Sequence, residues 1–192
     1  MISALTVFTG PMFAGKTEAL IRAVRRSRDA ELSIQVFVPA SDTRNGVGVV
    51  KSHGGLDLES LGINAWAVAP HDSVSMADRV RSGTRVVAID EAQFFDSGLI
   101  DQVRTILRRD IHVYVAGLDC DYREEPFGPM PSLLAMADHV HKLTAICAIC
   151  HQDNGRLTFR RTNETSQVLL GAAEAYAPMC RACYNTATRK AG

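Results

Sequence analysis

The sequence predicts an α/β fold in which helices flank a mostly parallel sheet. Three observations predict it. Short apolar runs alternate with helical patterns along the first 142 residues, a glycine-rich loop joins the first run to the first helix, and acidic residues closely follow two later runs. This alternation indicates right-handed crossovers between parallel strands. Such sheets bind ligands beyond the carboxyl ends of their strands, where the loop and the acidic residues would meet.

The individual elements follow from the apolar spacing. We predict strands at 5–8, 34–38, 85–89 and 111–117, and helices at 17–28, 73–82, 98–109 and 132–137. The run at 85–89 is almost continuously apolar, which is typical of a strand buried on both faces. Ser97 is the expected N-cap of the third helix. The segment 40–55 is rich in Ser, Asp, Asn and Gly without periodicity, so we expect a loop there.

The character of the sequence changes after residue 142. Cysteines appear, helical spacing fades, and short strand-like pieces occur at 156–161 and 167–170. We therefore expect a domain boundary at this point. Residues 1–142 would form a nucleotide-binding α/β domain, and residues 143–192 would form a small cysteine-containing domain.

Composition narrows the class of protein. The chain has 192 residues, of which 46% are hydrophobic, and its 21 basic and 21 acidic residues cancel. A neutral chain of this size has a core but lacks the basic character of a dedicated nucleic-acid binder. We see no apolar stretch long enough to span a bilayer and no charged start typical of a signal peptide. We therefore expect a cytoplasmic protein without a membrane partner, whose cysteines are reduced thiols or metal ligands.

A glycine-rich loop follows the first apolar run. It fits the pattern G-x-x-x-x-G-K-[ST] with Gly10, Pro11, Met12, Phe13, Ala14, Gly15, Lys16 and Thr17. The two glycines let successive backbone N–H groups point into one concavity, and the next helix adds partial positive charge at its N-terminus. Lys16 would reach the β- and γ-phosphates, and the Thr17 hydroxyl would hold Mg²⁺. We interpret the segment as a phosphate-binding loop rather than a chance glycine-rich turn.

Two acidic residues follow the apolar run at 85–89. At such a strand end, downstream of a phosphate loop, Asp90 is expected to hold Mg²⁺ directly or through water. Glu91 should point the other way, where it would act as a general base toward an attacking hydroxyl or water. The alternatives are a turn residue for Asp90 and a surface carboxylate for Glu91.

Four of the five cysteines form two pairs. Cys147-x-x-Cys150 and Cys180-x-x-Cys183 are separated by 29 residues. Each spacing lets two thiolates bind one tetrahedral Zn²⁺, and four thiolates leave no coordination position open. We predict a structural zinc site that closes the long loop at both ends. Redox-active CxxC motifs are the alternative, and the remaining Cys120 is expected to be a packed thiol.

Together with their surroundings, these motifs resemble the cytosolic-type (type II) thymidine kinases over most of the chain. The similarity rests on residues 10–17, 41–44, 89–95, 117–119, 126–128, 142–147, 176 and 180–184. Inside the phosphate loop, Pro11, Met12 and Phe13 are more specific than the general pattern. The resemblance implies transfer of the γ-phosphoryl group of ATP to the 5′-hydroxyl of thymidine or deoxyuridine, which is nucleotide salvage for DNA synthesis.

The resemblance also implies roles for single residues. Glu91 would be the catalytic base, and Thr17 and Asp90 would hold Mg²⁺. Residues 10–17, Asp90 and Gln93 would bind ATP. The implied nucleoside-binding residues are Met12, Phe94, Leu118, Tyr122, Thr158, Leu170, Gly171, Ala172, Ala173 and Tyr176. The last of these lie on a loop that would close over the base, anchored at both ends by the zinc cluster.

Fold and partners follow from the same resemblance. It implies a P-loop NTPase-like (RecA-like) domain with a small zinc-binding domain that carries the closing loop. It also implies a homotetramer inhibited by dTTP, with no nucleic-acid partner. The chain departs from the family pattern at Phe159, where members usually carry a polar residue. Local packing beneath the base is therefore expected to differ.

Two other functions remain to be weighed. The run Asp90-Glu91-Ala92-Gln93 is similar to a helicase box, but a nucleic-acid motor needs two nucleotide-binding cores and this length supplies one. A non-catalytic zinc module with a vestigial loop is the other alternative. The intact set of Lys16, Thr17, Asp90 and Glu91 argues against it. Nucleoside-dependent ATP turnover would separate the kinase from both.

Overall fold

A computed structural model describes residues 3–41, 49–51, 54–70, 72–167, 169 and 173–191. Of the residues singled out in the sequence, positions 42–44 and 170–172 lie outside the described residues, which includes Leu170, Gly171 and Ala172. Among the described residues, no helix combines the length and the apolar character needed to cross a bilayer.

Six parallel strands form the central sheet of the described chain. In chain order they are β1 (Leu5–Thr9), β2 (Ile34–Pro39), β3 (Ala65–Val68), β4 (Val86–Ile89), β5 (His112–Gly117) and β6 (His139–Lys142). Their order across the sheet is β3-β2-β4-β5-β1-β6, and every neighbouring pair is parallel. The predicted α/β class with a mostly parallel sheet is therefore confirmed.

Helices cover both faces of this sheet. They are α1 (Lys16–Asp29), α2 (Gly98–Leu107) and α3 (Met130–Met136), followed near the C-terminus by α4 (Arg181–Ala191). Side chains alternate along β1, so that Leu5 and Val7 pack in the cluster with α2 and α3, whereas Phe8 packs in the cluster with α1. Both faces of the sheet are thus buried, which explains why β4 is apolar throughout and its neighbours are mostly apolar.

Two small antiparallel sheets follow the central one. One pairs β7 (Ala145–Ile146) with β8 (Asp153–Gly155), and the other pairs β9 (Leu157–Arg160) with β10 (Tyr176–Met179). Together with α4 they enclose a separate apolar cluster that includes Cys147, Cys180 and Tyr184. Phe159 joins this cluster, with its ring edge-on to the Tyr184 ring at 6.0 Å. An apolar side chain at position 159 is therefore accommodated by packing.

The prediction of a strand at 167–170 is wrong. Gln167 and Leu169 lie outside any strand, and residues 168 and 170 are not among those described. The strand that pairs with β9 is β10, which contains Pro178 opposite Thr158. Proline is tolerated there because a two-stranded ribbon leaves one side of each strand without a ladder bond. The helix α4 directly after β10 was not predicted either.

Two helix predictions also need correction. Residues 73–82 form two separate 3₁₀ turns, Ser73–Ser75 and Ala77–Arg79, instead of one helix. Ser97 does not cap α2, because its own backbone is helical with φ −63° and ψ −19°. The carboxylate of Asp96 instead accepts a hydrogen bond from the backbone N–H of Gly98 at 3.0 Å. An Asp one position earlier therefore performs the capping that was assigned to the serine.

Candidate active site

The phosphate loop lies at the carboxyl end of β1 and leads directly into α1. Three of its residues have a positive φ, which is 137° at Gly10, 66° at Phe13 and 77° at Gly15. Gly15 occupies the N-cap position of α1, so the N-terminus of this helix, with its partial positive charge, adjoins the loop. The loop thus has the curled backbone and the helix N-terminus that an anionic phosphate group requires.

Gly10 is held tightly by the segment that follows β6. The Leu143 backbone N–H donates to the Thr9 carbonyl at 2.8 Å, which brings the Leu143 carbonyl against Gly10. A Cβ atom added at Gly10 would overlap the Leu143 oxygen, and φ here lies in a range that only glycine adopts easily. Glycine at this position is therefore required by close backbone approach as well as by loop curvature.

We expect Gly10→Ala to lower the free energy of unfolding by at least about 2 kcal/mol, because backbone atoms cannot move away cheaply. Chemical denaturation of the purified variant measures this loss. Gly83→Ala is the matched control, since Gly83 has a similarly positive φ of 84° but open space around it. Equal losses in the two variants would contradict the steric argument.

Lys16, Thr17 and Asp90 lie where α1 begins and β4 ends. The Lys16 ammonium donates to the Pro11 carbonyl at 2.7 Å, across the loop, and the Thr17 hydroxyl donates to Asp90 Oδ1 at 3.3 Å. Asp90 is 5% exposed, and burial, followed by repulsion from Glu91, raises the pKa of its carboxyl to about 7. A carboxylate so costly to ionise gains strongly from a neighbouring cation. Two oxygen ligands on adjacent elements fit Mg²⁺.

Glu91 has a strained backbone. Its φ of 50° and ψ of 40° are left-handed, which is uncommon for a residue other than glycine. Its backbone N–H donates to Asp90 Oδ1 at 3.0 Å. Strain of this kind costs about 1–3 kcal/mol and concentrates at functional sites. The left-handed backbone therefore marks Glu91 as a candidate functional residue.

Gln93 connects the ends of two strands. It lies in the 3₁₀ turn Ala92–Phe94 that follows β4, and it is 2% exposed. Its side-chain N–H donates to Glu91 Oε2 at 2.5 Å, and its Oε1 accepts the backbone N–H of Leu118 at 3.0 Å. Leu118 directly follows β5, so one amide group spans from the glutamate to the next strand.

The nucleoside-side residues come from several elements. Phe94 directly follows Gln93, and its ring packs edge-on against the Phe127 ring with centroids 5.7 Å apart. The Met12 backbone N–H donates to the Thr158 hydroxyl at 3.0 Å, which joins the phosphate loop to β9. Ala173 is exposed in the turn before β10. The predicted residues Met12 and Thr158 are therefore brought into direct contact, although 146 positions separate them.

Arg160 contacts both tyrosines that were predicted to bind the nucleoside, Tyr122 and Tyr176. No role was predicted for this arginine from the sequence. Its guanidinium stacks on the Tyr122 ring at 3.6 Å and donates to the Tyr176 hydroxyl at 2.7 Å. It also donates to three backbone carbonyls of the loop, those of Glu164, Ser166 and Gln167. The side chain is nearly buried, so its charge depends on these acceptors and rings. The sequence signal for it is an arginine at the end of a short strand.

The four paired cysteines converge. Their sulfur atoms all lie within 4.8 Å of one another, and Cys150 and Cys180 are 3.9 Å apart. A tetrahedral zinc site has sulfur–sulfur edges of about 3.8 Å, so the donor set and its spacing fit Zn²⁺. Burial opposes ionisation of Cys147, but backbone N–H groups of Cys150, Cys180 and Ile149 lower its pKa to about 6. Cys120 is a free, half-buried thiol outside the cluster.

The small cysteine-containing part contacts the residues that follow β5. The Tyr184 hydroxyl donates to the Tyr122 carbonyl at 2.6 Å, and Arg181 forms an ion pair with Glu124 at 2.7 Å. Arg181 lies between the last two cysteines of the cluster, and Tyr184 directly follows them. The helix that carries the last two cysteines is therefore in direct contact with the segment that carries Tyr122.

A parallel sheet whose first strand runs into a glycine-rich phosphate loop is the architecture of the P-loop nucleotide-binding proteins, and this chain shares it. The family model for thymidine kinase matches residues 3–184. The chain belongs to the thymidine kinase family.

Curated relatives agree with the family match. A thymidine kinase of Bacteroides fragilis strain YCH46 is 42% identical over 97% of this chain and 89% of its own length. One of Bacteroides thetaiotaomicron is 44% identical over 94% and 86%, respectively. One of Porphyromonas gingivalis strain ATCC 33277 is 42% identical over 94% and 84%. The similarity thus extends across nearly the whole of both chains in each case.

Proposed function

We propose that this protein transfers the γ-phosphoryl group of ATP to the 5′-hydroxyl of thymidine, and also of deoxyuridine, in nucleotide salvage for DNA synthesis. The observation that carries the proposal is the contact between the start of α1, which follows the phosphate loop, and the residues that follow β4. There the phosphate loop, the Thr17–Asp90 contact and Glu91 lie together at the carboxyl edge of the sheet. Membership of the thymidine kinase family supplies the substrate class.

On the nucleotide side, we assign residues 10–17 and Asp90 to ATP. Backbone N–H groups of the loop and the N-terminus of α1 would receive the β- and γ-phosphates, with Lys16 adding positive charge. Thr17 and Asp90 would hold Mg²⁺, which supplies neutralisation of phosphate charge when it is bound. Positioning and charge neutralisation account for most of the rate in reactions of this type.

The proton of the nucleoside 5′-hydroxyl is assigned to Glu91. As the oxygen forms its bond to the γ-phosphorus, the O–H bond breaks and the proton passes to the Glu91 carboxylate. The bond between the γ-phosphorus and the bridging oxygen breaks at the same centre, and ADP leaves with that electron pair. The products are ADP and the nucleoside 5′-monophosphate.

On the nucleoside side, we propose a pocket between the carboxyl edge of the sheet and the loop before β10. Its residues are Met12, Phe94, Leu118, Tyr122, Thr158, Leu170, Gly171, Ala172, Ala173 and Tyr176. The Met12–Thr158 hydrogen bond and the stacking of Arg160 on Tyr122 support this placement. Recognition through backbone groups gives specificity, since a wrong base would leave them unpaired.

The cysteine cluster is proposed to hold Zn²⁺ in a structural role. It lies in the part of the chain that we assign to a second domain, residues 143–192, with residues 1–142 as the nucleotide-binding domain. The end of β6 at Lys142 and the separate apolar cluster around Cys147 support this boundary. Closing the loop between β9 and β10 at its base would reduce the ordering cost of substrate binding.

Further properties are proposed from the family relationship. They are a homotetrameric assembly, inhibition by dTTP, a cytoplasmic location, and the absence of nucleic-acid and membrane partners. The five free thiols, four of them arranged as metal ligands, agree with a reducing compartment. Inhibition by dTTP agrees with a site built to hold a thymine and a run of phosphates together.

The test is ATP turnover by the purified chain with Mg²⁺ and thymidine, deoxyuridine, deoxycytidine or no nucleoside. We expect turnover with thymidine and deoxyuridine and less than about one hundredth of it otherwise, the discrimination expected when buried polar groups are left unpaired. Turnover that ignores nucleosides, or that requires DNA or RNA, would overturn the proposal in favour of a nucleic-acid motor.

A further inference from the structure

We propose that Gln93 is a positioning residue for the general base Glu91. Its side-chain amide holds the Glu91 carboxylate in its reactive orientation. The inference rests on the proposed phosphoryl transfer and deepens it. It replaces the direct contact with ATP that the family resemblance implies for Gln93. The amide instead acts on the acceptor of the nucleoside proton.

The direction of the amide follows from its partners. Leu118 offers a backbone N–H, which can only donate, so the Gln93 oxygen must face it at 3.0 Å. The amide nitrogen then faces Glu91 Oε2 at 2.5 Å, as a donor to a carboxylate oxygen. A flipped amide would place two oxygens together at Glu91 and two donors together at Leu118. The network therefore has one satisfied arrangement.

Packing leaves the Gln93 side chain little freedom. Gly117 lies beside it, and a Cβ atom there would come within 2.9 Å of Gln93 Oε1 and 2.7 Å of the Met130 sulfur. Gly128 lies against the Gln93 backbone, where an added Cβ would overlap its carbonyl. Two glycines thus leave space for one buried glutamine, which is 2% exposed. The amide is an anchored group, and the carboxylate it binds inherits that anchoring.

Glu91 needs such an anchor. Its left-handed backbone places the side chain at the strand edge, where a glutamate has three rotatable side-chain bonds and loses considerable entropy on fixation. A hydrogen bond to one carboxylate oxygen restricts the positions that this oxygen can take. The same amide is bonded to Leu118, which is a predicted contact to the thymine. Glu91 is therefore also linked, through Gln93, to the end of β5. One hydrogen-bond network would then fix the Glu91 carboxylate relative to the nucleoside-binding residues.

Gln93→Met tests the role, because methionine keeps the length and removes both hydrogen bonds. We expect kcat for thymidine phosphorylation to fall about 10- to 100-fold, the cost of misplacing a reacting group by roughly 1 Å. The KM values for ATP and thymidine should change less than about threefold, since ground-state contacts are retained. A kcat within twofold of the parent protein would overturn the proposal.

The matched control is Gln35→Met. Gln35 is also a buried glutamine, 5% exposed, and its amide makes three hydrogen bonds, to Arg79, Arg81 and Thr84. It lies near the amino end of β2, whereas Glu91 lies beyond the carboxyl end of the neighbouring strand β4. We expect this variant to lose thermal stability and keep its kcat. A comparable fall of kcat in both variants would show a general loss of packing and overturn the proposal.

A double-mutant cycle decides whether Gln93 acts through Glu91. In a Glu91→Gln background, adding Gln93→Met should change the residual kcat less than threefold, since the base is already absent. The same fold loss in both backgrounds would refute the positioning role. If Gln93→Met does not fold, Gln93→Asn keeps the amide on a side chain that is one methylene shorter, so it cannot hold Glu91 and Leu118 at the same time. It should then show the same kcat loss and the same cycle, and a parental kcat would refute the role.

The parent protein separates this inference from the proposed function. Absence of thymidine-dependent turnover in the parent would defeat the proposed function. Normal turnover in the parent together with an unaffected Gln93→Met variant would defeat the role of Gln93 alone.

Discussion

Glu91→Gln is expected to lower kcat for thymidine phosphorylation by about 10³-fold, within the range measured for removal of a positioned general base. The amide has nearly the shape of the carboxylate but cannot accept the hydroxyl proton as a base. Contacts of the nucleotide with the phosphate loop do not pass through this side chain. The affinity for ATP should therefore stay within about threefold of the parent, as expected for loss of a transition-state interaction. Steady-state kinetics and direct nucleotide titration measure the two effects.

Glu31→Gln is the matched control for this prediction. Glu31 also has a left-handed backbone, with φ 58°, but it is exposed beyond the end of α1. The same change at the same type of backbone position should leave kcat unaltered. Near-parental turnover by Glu91→Gln would remove Glu91 from the role of base. A large loss in Glu31→Gln would show that strained glutamates affect turnover through stability alone.

Cys150→Ser is the second change with a large expected effect. Serine is a poor ligand for zinc, so the bound metal should fall from about one per chain to below about 0.1. The sulfur cluster supports the packing of Tyr184 and Arg181 on the chain around Tyr122 and Glu124. Its loss should therefore raise the KM for thymidine about tenfold, as expected when a binding segment must be ordered anew. Metal analysis and kinetics provide the readouts.

Cys120→Ser serves as the control for the metal site. Cys120 follows β5 and lies outside the sulfur cluster, and its thiol is half-buried. This variant should keep both its zinc and its KM for thymidine. Stoichiometric zinc with an unchanged KM in Cys150→Ser would refute the structural role of the cluster. Loss of zinc without any change in KM would refute the connection between the cluster and nucleoside binding.

The sequence could predict those features that depend on local spacing and ligand chemistry. The strands around residues 5–9 and 86–89 are apolar because both faces are buried, and this signal needs no partner to be recognised. The phosphate loop depends on glycines and a lysine at fixed offsets within eight residues. The spacing of the two CxxC pairs predicts that the four cysteines come together, because a tetrahedral ion accepts four thiolates.

Short elements escaped prediction where their stability comes from neighbours. The strands β3 and β6 have four residues each, and β6 is the exposed sequence His-Val-His-Lys, which has no apolar period. It is a strand because β1 offers it a free edge to pair with. Likewise, the cap of α2 moved from Ser97 to Asp96, since the incoming chain already held the serine in a helical conformation. Local propensity is a weak guide in such cases.

The sequence alone determined that this protein has an α/β nucleotide-binding fold, a phosphate loop, two carboxylates at a strand end and a four-cysteine cluster. Only the tertiary structure decided which distant groups touch. It brought Gln93 between Glu91 and Leu118, Thr158 against Met12, and Arg160 against Tyr122 and Tyr176. The physical reason is that these hydrogen bonds join groups from distant parts of the chain, so they depend on how the strands and loops pack together. Loop and ligand motifs, by contrast, depend on a few consecutive residues.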